Sequence, residues 1–460
     1  MNLSLVVNEK IRPVVMKFGG TSVGDAAAFE RVLHIVSSHM DRHPVVVVSA
    51  MTKVTDALLD AFDIAKKGDF AGAFASLEPH FLRHEEVARH FIPVGVPNAF
   101  NGELDFARGE LSDLLIRVSR RSLPLSMLKD AIVSYGEQLS SRLLAESLKA
   151  RSLNARHVDS RRLIVTDDEF GAAQPIWDET RDLVRLELTP LLEADEITVI
   201  GGFIAGNRAG ETTTLGRGGS DYTAALAAAA LNAQELQIWT DVTGVMTCDP
   251  RICRDARTIP VLSYEEAAEL AYFGAKVLHP KTIKPAVDNG IPVRVCNTFE
   301  PETVGTMILA ESGEAPNKIK SIAHKKNITI LRISSARMLG SYGFMSAVFQ
   351  VFDRYRTVID VISTSEVSIA LTLDNTDSLD RIVEELSRLG DVEVDPGYAV
   401  ICVVGEGLRA STGLAARIFS TIDEVNIALV SHGASEVNLT FVVKDEAVSE
   451  VISKLHKTFF

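Results

Sequence analysis

At 460 residues, with 46% hydrophobic and 23% charged side chains, the chain has the composition of ordinary globular protein and room for about three domains. Its 47 Lys and Arg against 61 Asp and Glu leave a formal charge of −14, which argues against a nucleic-acid partner and supplies no polybasic membrane anchor. No stretch reaches the ~18 apolar residues of a membrane span, and the four cysteines, Cys248, Cys253, Cys296 and Cys402, show no paired metal-ligand spacing, so a cytoplasmic chain with reduced thiols is expected.

In chain order, VVMKF at 14–18 is a short apolar strand ending in a lysine, followed by Gly19, Gly20, Thr21 and Ser22 and a helix from near Asp25. In open α/β sheets ligands bind at the carboxyl edge, so Lys17 is placed either to reach a phosphate or simply to lie in solvent at a strand end. PVVVVSA at 44–50 suits a strand buried on both faces of a parallel sheet. Strand, helix, strand in this order forms a βαβ unit, which puts Ser49 and Thr55 at the same edge as Lys17, with helix capping as the simpler role for Thr55.

Residues 56–150 read as mostly helical. Within them SYGEQ at 134–138 sets Glu137 near the start of an amphipathic stretch, where it can pair with an ammonium group or serve as a first-turn glutamate favoured by the helix dipole. Strands recur near 163–166, 197–203 and 236–240, with a helix over 178–193. The alternation places residues up to about 300 in one α/β domain with a largely parallel sheet sandwiched by helices.

The stretch TTTLGRGGSDYTAALAAAA at 212–230 leads from a threonine run through a glycine-rich turn into an alanine-rich helix. Gly216, Gly218 and Gly219 let backbone N–H groups approach an anion, Ser220 or Asp221 can cap the helix, and Arg217 offers a planar fork for a carboxylate or phosphate. A capped helix after a flexible turn explains the glycines alone equally well.

KFGGTSV at 17–23, SYGE at 134–137, TTTLGRGGSDYTAA at 212–225, WTDVTG at 239–244, DPR at 249–251 and FGAKVLHP at 273–280 together resemble aspartate kinases of the amino-acid kinase family, most closely the monofunctional lysine-sensitive type. The resemblance runs from about residue 12 to the C-terminus. It implies phosphoryl transfer from MgATP to the side-chain carboxylate of L-aspartate, the first step of the diaminopimelate route to lysine, threonine and methionine. A carboxylate with a pKa near ~4 is ionised at neutral pH, so the chemistry needs alignment and charge neutralisation rather than a base.

By resemblance, Lys17 stabilises the transferring phosphoryl group with Gly19, Gly20, Thr21 and Ser22 nearby, and Asp221 organises Lys17 and the metal-phosphate geometry. Arg217 holds the α-carboxylate of aspartate, Glu137 its ammonium, and Ser49 and Thr55 position the rest. Thr240, Asp241, Met246, Arg251 and Lys276 surround the nucleotide, with Met246 standing where close relatives often have tyrosine. Mg²⁺ is held mainly by phosphate oxygens and water, so no protein metal ligand is expected.

Beyond 310–320, which reads as a linker, the sequence repeats at a spacing of seventy, from Ser365 to Ser435. Each copy runs helix, strand, Ser-Glu-Val turn, strand, which fits two α+β ACT units over 321–392 and 393–460 after a catalytic domain over 1–309. Resemblance places an effector amino acid, lysine favoured, at Met338, Ser341, Gly343, Phe344, Met345, Ile359, Asp360, Ser365 and Glu366, with Val358 where relatives tend to have serine. ACT pairing implies a homodimer or a dimer of dimers. VICVVGEGLRA at 400–410 has the outline of a dinucleotide fingerprint, but too little chain follows for a Rossmann domain. The alternatives are a catalytically weak ACT-type amino-acid sensor and a kinase for another acidic amino acid.

Overall fold

The computed structural model describes residues 11–93, 99–274, 278–313, 318–340 and 342–460. They form two compact units: Met1–Val245 with Pro260–Tyr264 and Val277–Ser312, and Met246–Ile259 with Glu265–Lys276 and Gly313–Phe460. Among the described residues no helix is long and apolar enough to cross a membrane.

The first unit is built on an eight-stranded sheet in the order Ala155–Val158, Ile197–Gly201, Val45–Val48, Val14–Phe18, Glu235–Thr240, Val293–Asn297, Thr306–Leu309 and Val261–Ser263. All neighbours are parallel except Val293–Asn297 with Thr306–Leu309. Val14–Phe18 and Val45–Val48 are central and almost wholly buried, as continuous apolar runs in a parallel sheet should be.

The two-residue period of a strand decides what Lys17 can meet. Val14, Met16 and Phe18 face one large apolar cluster, shared with helices Ala26–Ser37, Val54–Lys66, Phe70–Phe91, Ala99–Arg120, Leu125–Val133 and Tyr135–Ala150. Lys17 therefore takes the other face, where helix Gly219–Leu231 contacts the same strand. That helix is buried along its alanines, which let it approach the strand and the helices Trp177–Glu193 and Pro280–Asp288 closely.

Local expectations hold with three differences, one being that the strand expected over 197–203 ends at Gly201. The strand expected over 163–166 is only Val165–Thr166, pairing with Ile204–Asn207, which in turn pairs with Thr212–Thr214 in a small second sheet. Helix Gly219–Leu231 starts two or three residues earlier than Ser220 or Asp221 capping would require; Gly218 is its N-cap at φ +74°, a conformation that an L side chain rarely adopts, and no side chain caps it. Asp221 is thereby released from capping and points elsewhere.

The second unit carries a six-stranded antiparallel sheet in the order Ile362–Thr364, Ser368–Leu373, Lys318–Ser334, Asp391–Glu406, Asn438–Lys444 and Leu429–His432. The strand Lys318–Ser334 begins inside the segment read as a linker and serves both repeats. Its far half, with Leu331 and Ile333, packs with helix Phe344–Arg354 and helix Leu379–Leu386. Its near half, with Ile319 and Ile322, pairs with 398–406 and packs against Phe441 and helix Val448–Phe459. The second repeat is thus completed by a strand that precedes the first, so the two copies interleave in sequence. Ile322→Ala should cost about 2–5 kcal/mol. Hydrogen exchange should accelerate in 399–406 and 438–444 and stay unchanged in 368–373.

Candidate active site

The carboxyl edge of the central strands in the first unit opens into a cleft of about 400 Å³, lined among others by Lys17, Gly20, Ser49, Thr55, Glu137, Gly218 and Asp221. This volume lies within the range of small-molecule sites. Ser49 and Thr55 arrive as the βαβ order dictates, Ser49 N donating to Phe18 O at 3.0 Å.

Lys17 Nζ stands 2.7 Å from Asp221 Oδ1, with both side chains largely buried. The contact is an ion pair without hydrogen-bond alignment, since Asp221 Oδ1 has no donor in suitable geometry. Asp221 sits in the first turn of Gly219–Leu231, beside N–H groups that lack intrahelical partners. Cation, carboxylate and a positive helix end therefore meet at one point.

Glu137 is the strongest electrostatic feature of the cleft. It lies in the first turn of Tyr135–Ala150, yet it is 3% exposed, unlike a solvent-facing glutamate favoured by the dipole alone. Gly136 explains the burial: a Cβ there would stand 2.7 Å from Ala50 Cβ, so only glycine lets this helix start sit against the end of the second strand. Glu137 Oε1 accepts the Ala50 N–H at 3.1 Å, and Oε2 has no partner among the described residues. Burial pushes the carboxyl from its ordinary 4.5 up to about 8, a rise that the Ala50 amide only partly offsets.

The loop after Thr212–Thr214 is tied from behind. Asp130 Oδ2 accepts Thr214 N–H and Gly171 N–H, both at 2.8 Å, and its own pKa is raised by burial. Arg217, between the lining residues Gly216 and Gly218, is exposed and makes no ion pair among the described residues. Phe203 and Asp56 also line the cleft, and neither stood out in the sequence. Phe203 has φ +67°, held by Thr223 Oγ1 on its N–H at 3.1 Å and by Leu215 N–H on its carbonyl at 2.9 Å. Such strain gathers at binding sites. Its only sequence signal is the Gly201-Gly202 pair before it.

Of the residues expected around a nucleotide, Gly19 N donates to Trp239 O at 3.2 Å, which puts Thr240 and Asp241 at the same edge as Lys17. Thr21 is exposed, whereas Ser22 turns inward to Thr298 Oγ1 at 2.8 Å. Met246 and Arg251 belong to the second unit, where Arg251 is paired with Asp249 at 2.7 Å. Lys276 and Ser341 lie outside the described residues.

Of the residues expected to hold an effector, Met338, Phe344, Met345 and Ile359 pack against the first-repeat core. Gly343 caps helix Phe344–Arg354 at φ +83°, Ser365 bonds Ser368 Oγ at 2.7 Å, and Glu366 is exposed. Asp360 is already engaged, accepting Tyr272 OH at 2.6 Å and Lys325 Nζ at 3.0 Å, with Oδ2 unpartnered among the described residues.

A profile described as the amino acid kinase family matches residues 12–297, and one described as an ACT domain matches 401–459. Lysine-sensitive aspartokinase 3 of Escherichia coli (strain K12) is 37% identical over 97% of this chain and 99% of its own length. Chloroplastic aspartokinase 3 of Arabidopsis thaliana is 38% identical over 98% of this chain and 82% of its own length. The crystal structure of E. coli aspartokinase III with aspartate and ADP in the R-state superposes with a TM-score of 0.81, at 37% identity over 97% of this chain and all of that one. The T-state structure with lysine and aspartate gives 0.84 at the same identity, over 97% of this chain and 99% of that one.

The Glu137 shift sets a pH signature. A carboxyl raised from 4.5 to about 8 on folding contributes stability that is full below 4.5 and lost as pH rises through 8. Glu137→Gln has no such dependence. The melting temperature of Glu137→Gln minus that of the parent chain should therefore increase from pH 5 to pH 9.

Proposed function

The chain belongs to the amino acid kinase family, among its aspartokinases, and we propose that the cleft transfers the γ-phosphoryl group of MgATP to the side-chain carboxylate of L-aspartate, giving 4-phospho-L-aspartate. What carries the proposal is that one cleft presents both a cation at a helix N-terminus and a buried carboxyl group whose Oε2 has no partner among the described residues. The first suits phosphoryl oxygens and the second suits an ammonium group.

Glu137 receives the substrate's ammonium. A positive charge beside Oε2 stabilises the ionised carboxylate and draws its raised pKa back down, so binding releases a proton at neutral pH. Arg217, exposed and without an ion pair among the described residues, takes the α-carboxylate in a bidentate fork. Ser49 and Thr55 line the wall between them and orient the side-chain carboxylate. That carboxylate is already ionised, so the site needs no general base.

Lys17 lies against the transferring phosphoryl group, neutralising charge that spreads over its oxygens, and Gly19 and Gly20 admit the phosphate chain close to the backbone. Asp221, whose Oδ1 has no aligned donor, keeps Lys17 in place and has acceptor capacity for the metal side of the nucleotide. Magnesium enters as part of MgATP, held mainly by phosphate and water, since it gives up its hydration shell reluctantly and needs at most one or two protein carboxylates.

Lysine is the proposed effector, because a bacterial relative at 37% identity is lysine-sensitive and its T-state structure contains lysine. It would compete for Asp360 with Lys325 and Tyr272. The first repeat also exposes Leu339, Val358 and Val367 at 63%, 61% and 45%, apolar side chains that a second copy of the chain would cover.

Lys17→Ala and Asp221→Ala should each lower kcat by about 10²–10³ or more while leaving the aspartate KM within a few-fold. Arg217→Ala should instead raise the aspartate KM. In a coupled ADP-release assay turnover should require aspartate; equal rates with glutamate or without acceptor would refute the substrate assignment. Added lysine should inhibit, and an unchanged rate at saturating lysine would remove it as the effector.

A further inference from the structure

In the second unit, a turn and the C-terminal helix bring two thiols and an imidazole together. Asp249 O accepts Ile252 N–H at 2.9 Å and Cys253 N–H at 3.0 Å, and this single helical turn carries Cys253 back towards Cys248. His456 projects from helix Val448–Phe459 on the face already committed to the core by Ile452 and Leu455. The two sulfur atoms and a ring nitrogen of His456 lie within 4.8 Å of one another. Cys248, Cys253 and His456 are only 4%, 8% and 6% exposed.

Apolar packing accounts for part of this, since both cysteines count among the core of the second repeat. It does not account for an imidazole turned onto two thiols, where a leucine would fill the same space without a polar atom to satisfy. The ring is also held in place. Thr247 Oγ1 stands 2.9 Å from His456 Nε2 and accepts the Arg257 N–H at 3.0 Å, and Phe460 stacks on the ring at 4.7 Å. Such outer contacts orient ligating histidines and fix their tautomer.

We propose that Cys248, Cys253 and His456 form a zinc site that ties the turn at 248–253 to the C-terminal helix. A tetrahedral ion with Zn–S near 2.3 Å sets its ligand atoms about 3.8 Å apart, so small side-chain rotations close the present spacing. Two thiolates and an imidazole suit zinc over magnesium or calcium, which take oxygen ligands. Both thiols lose their protons to solvent on binding, and water fills the fourth position. The reading is independent of the aspartate cleft, whose residues all lie in the first unit.

The test uses the full chain, freed of any histidine tag, loaded with zinc and desalted, with metal counted by mass spectrometry. About one zinc per chain is expected. Cobalt(II) substituted into the parent chain should give thiolate charge-transfer absorption and the intense visible bands of tetrahedral coordination, a reading that needs no variant. Cys248→Ser, Cys253→Ser and His456→Ala should each weaken zinc binding, measured by chelator competition, at least about tenfold. Cys402→Ser should leave it unchanged. A desalted parent chain without zinc, weak octahedral cobalt bands, or a Cys248→Ser/Cys253→Ser chain that binds as tightly as the parent would each overturn the proposal.

Discussion

The 2.7 Å ion pair between Lys17 and Asp221 is the constraint on which the cleft depends. It fastens the carboxyl end of a central strand to the amino end of the alanine-rich helix, two elements far apart in sequence. It contributes little to stability, because withdrawing both charges from water costs on the order of several kcal/mol per ion, comparable with the attraction gained. Its value is positional. In the proposed reaction a lysine fixed by an aspartate would meet an incoming phosphate without reorganising, and preorganised charge lowers a phosphoryl-transfer barrier. The small residues around it, from Gly218 to the alanines of 224–230, allow the helix to come close enough for the pair to form.

Much of this could be read from the sequence because it is local. The apolar runs at 14–18 and 45–48 and the Asp25 cap, which accepts Ala28 N–H at 2.8 Å, follow from pattern and propensity over a few residues. Glu137 could not be resolved that way. Its position in a first helical turn is equally consistent with solvent exposure. What buries it is Ala50, brought in by a strand nearly ninety positions upstream, together with Gly136, whose missing Cβ admits the contact. Phe203 was invisible for a related reason, since its left-handed backbone is imposed by Thr223 and Leu215 rather than by its own preference. The cap of Gly219–Leu231 was misplaced because a glycine with φ +74° starts the helix before the side chains with capping propensity are reached.

The regulatory half shows a different limit. A repeat at fixed spacing suggests two modules in succession, but hydrogen bonding is not read from period. The strand that completes the second copy lies before the first, and only the ladder between Lys318–Ser334 and Asp391–Glu406 reveals it. Asp360 likewise carries more than its motif implied. It joins Lys325 on that shared strand to Tyr272 on the segment 265–276, so a ligand that takes Asp360 releases contacts on two separate stretches of chain.

The shared ladder is not uniform. Its register slips between Lys325 and Ile328 and again between Ile328 and Ile330, where the portion serving one repeat gives way to the portion serving the other. Bulges bend a strand and break its regular bonding. A third slip, between Ile319 and Ser321, lies within the portion serving the second repeat, so two of the three irregularities gather at the boundary between the repeats, where a bend of the sheet would break fewer regular bonds than one through the first repeat.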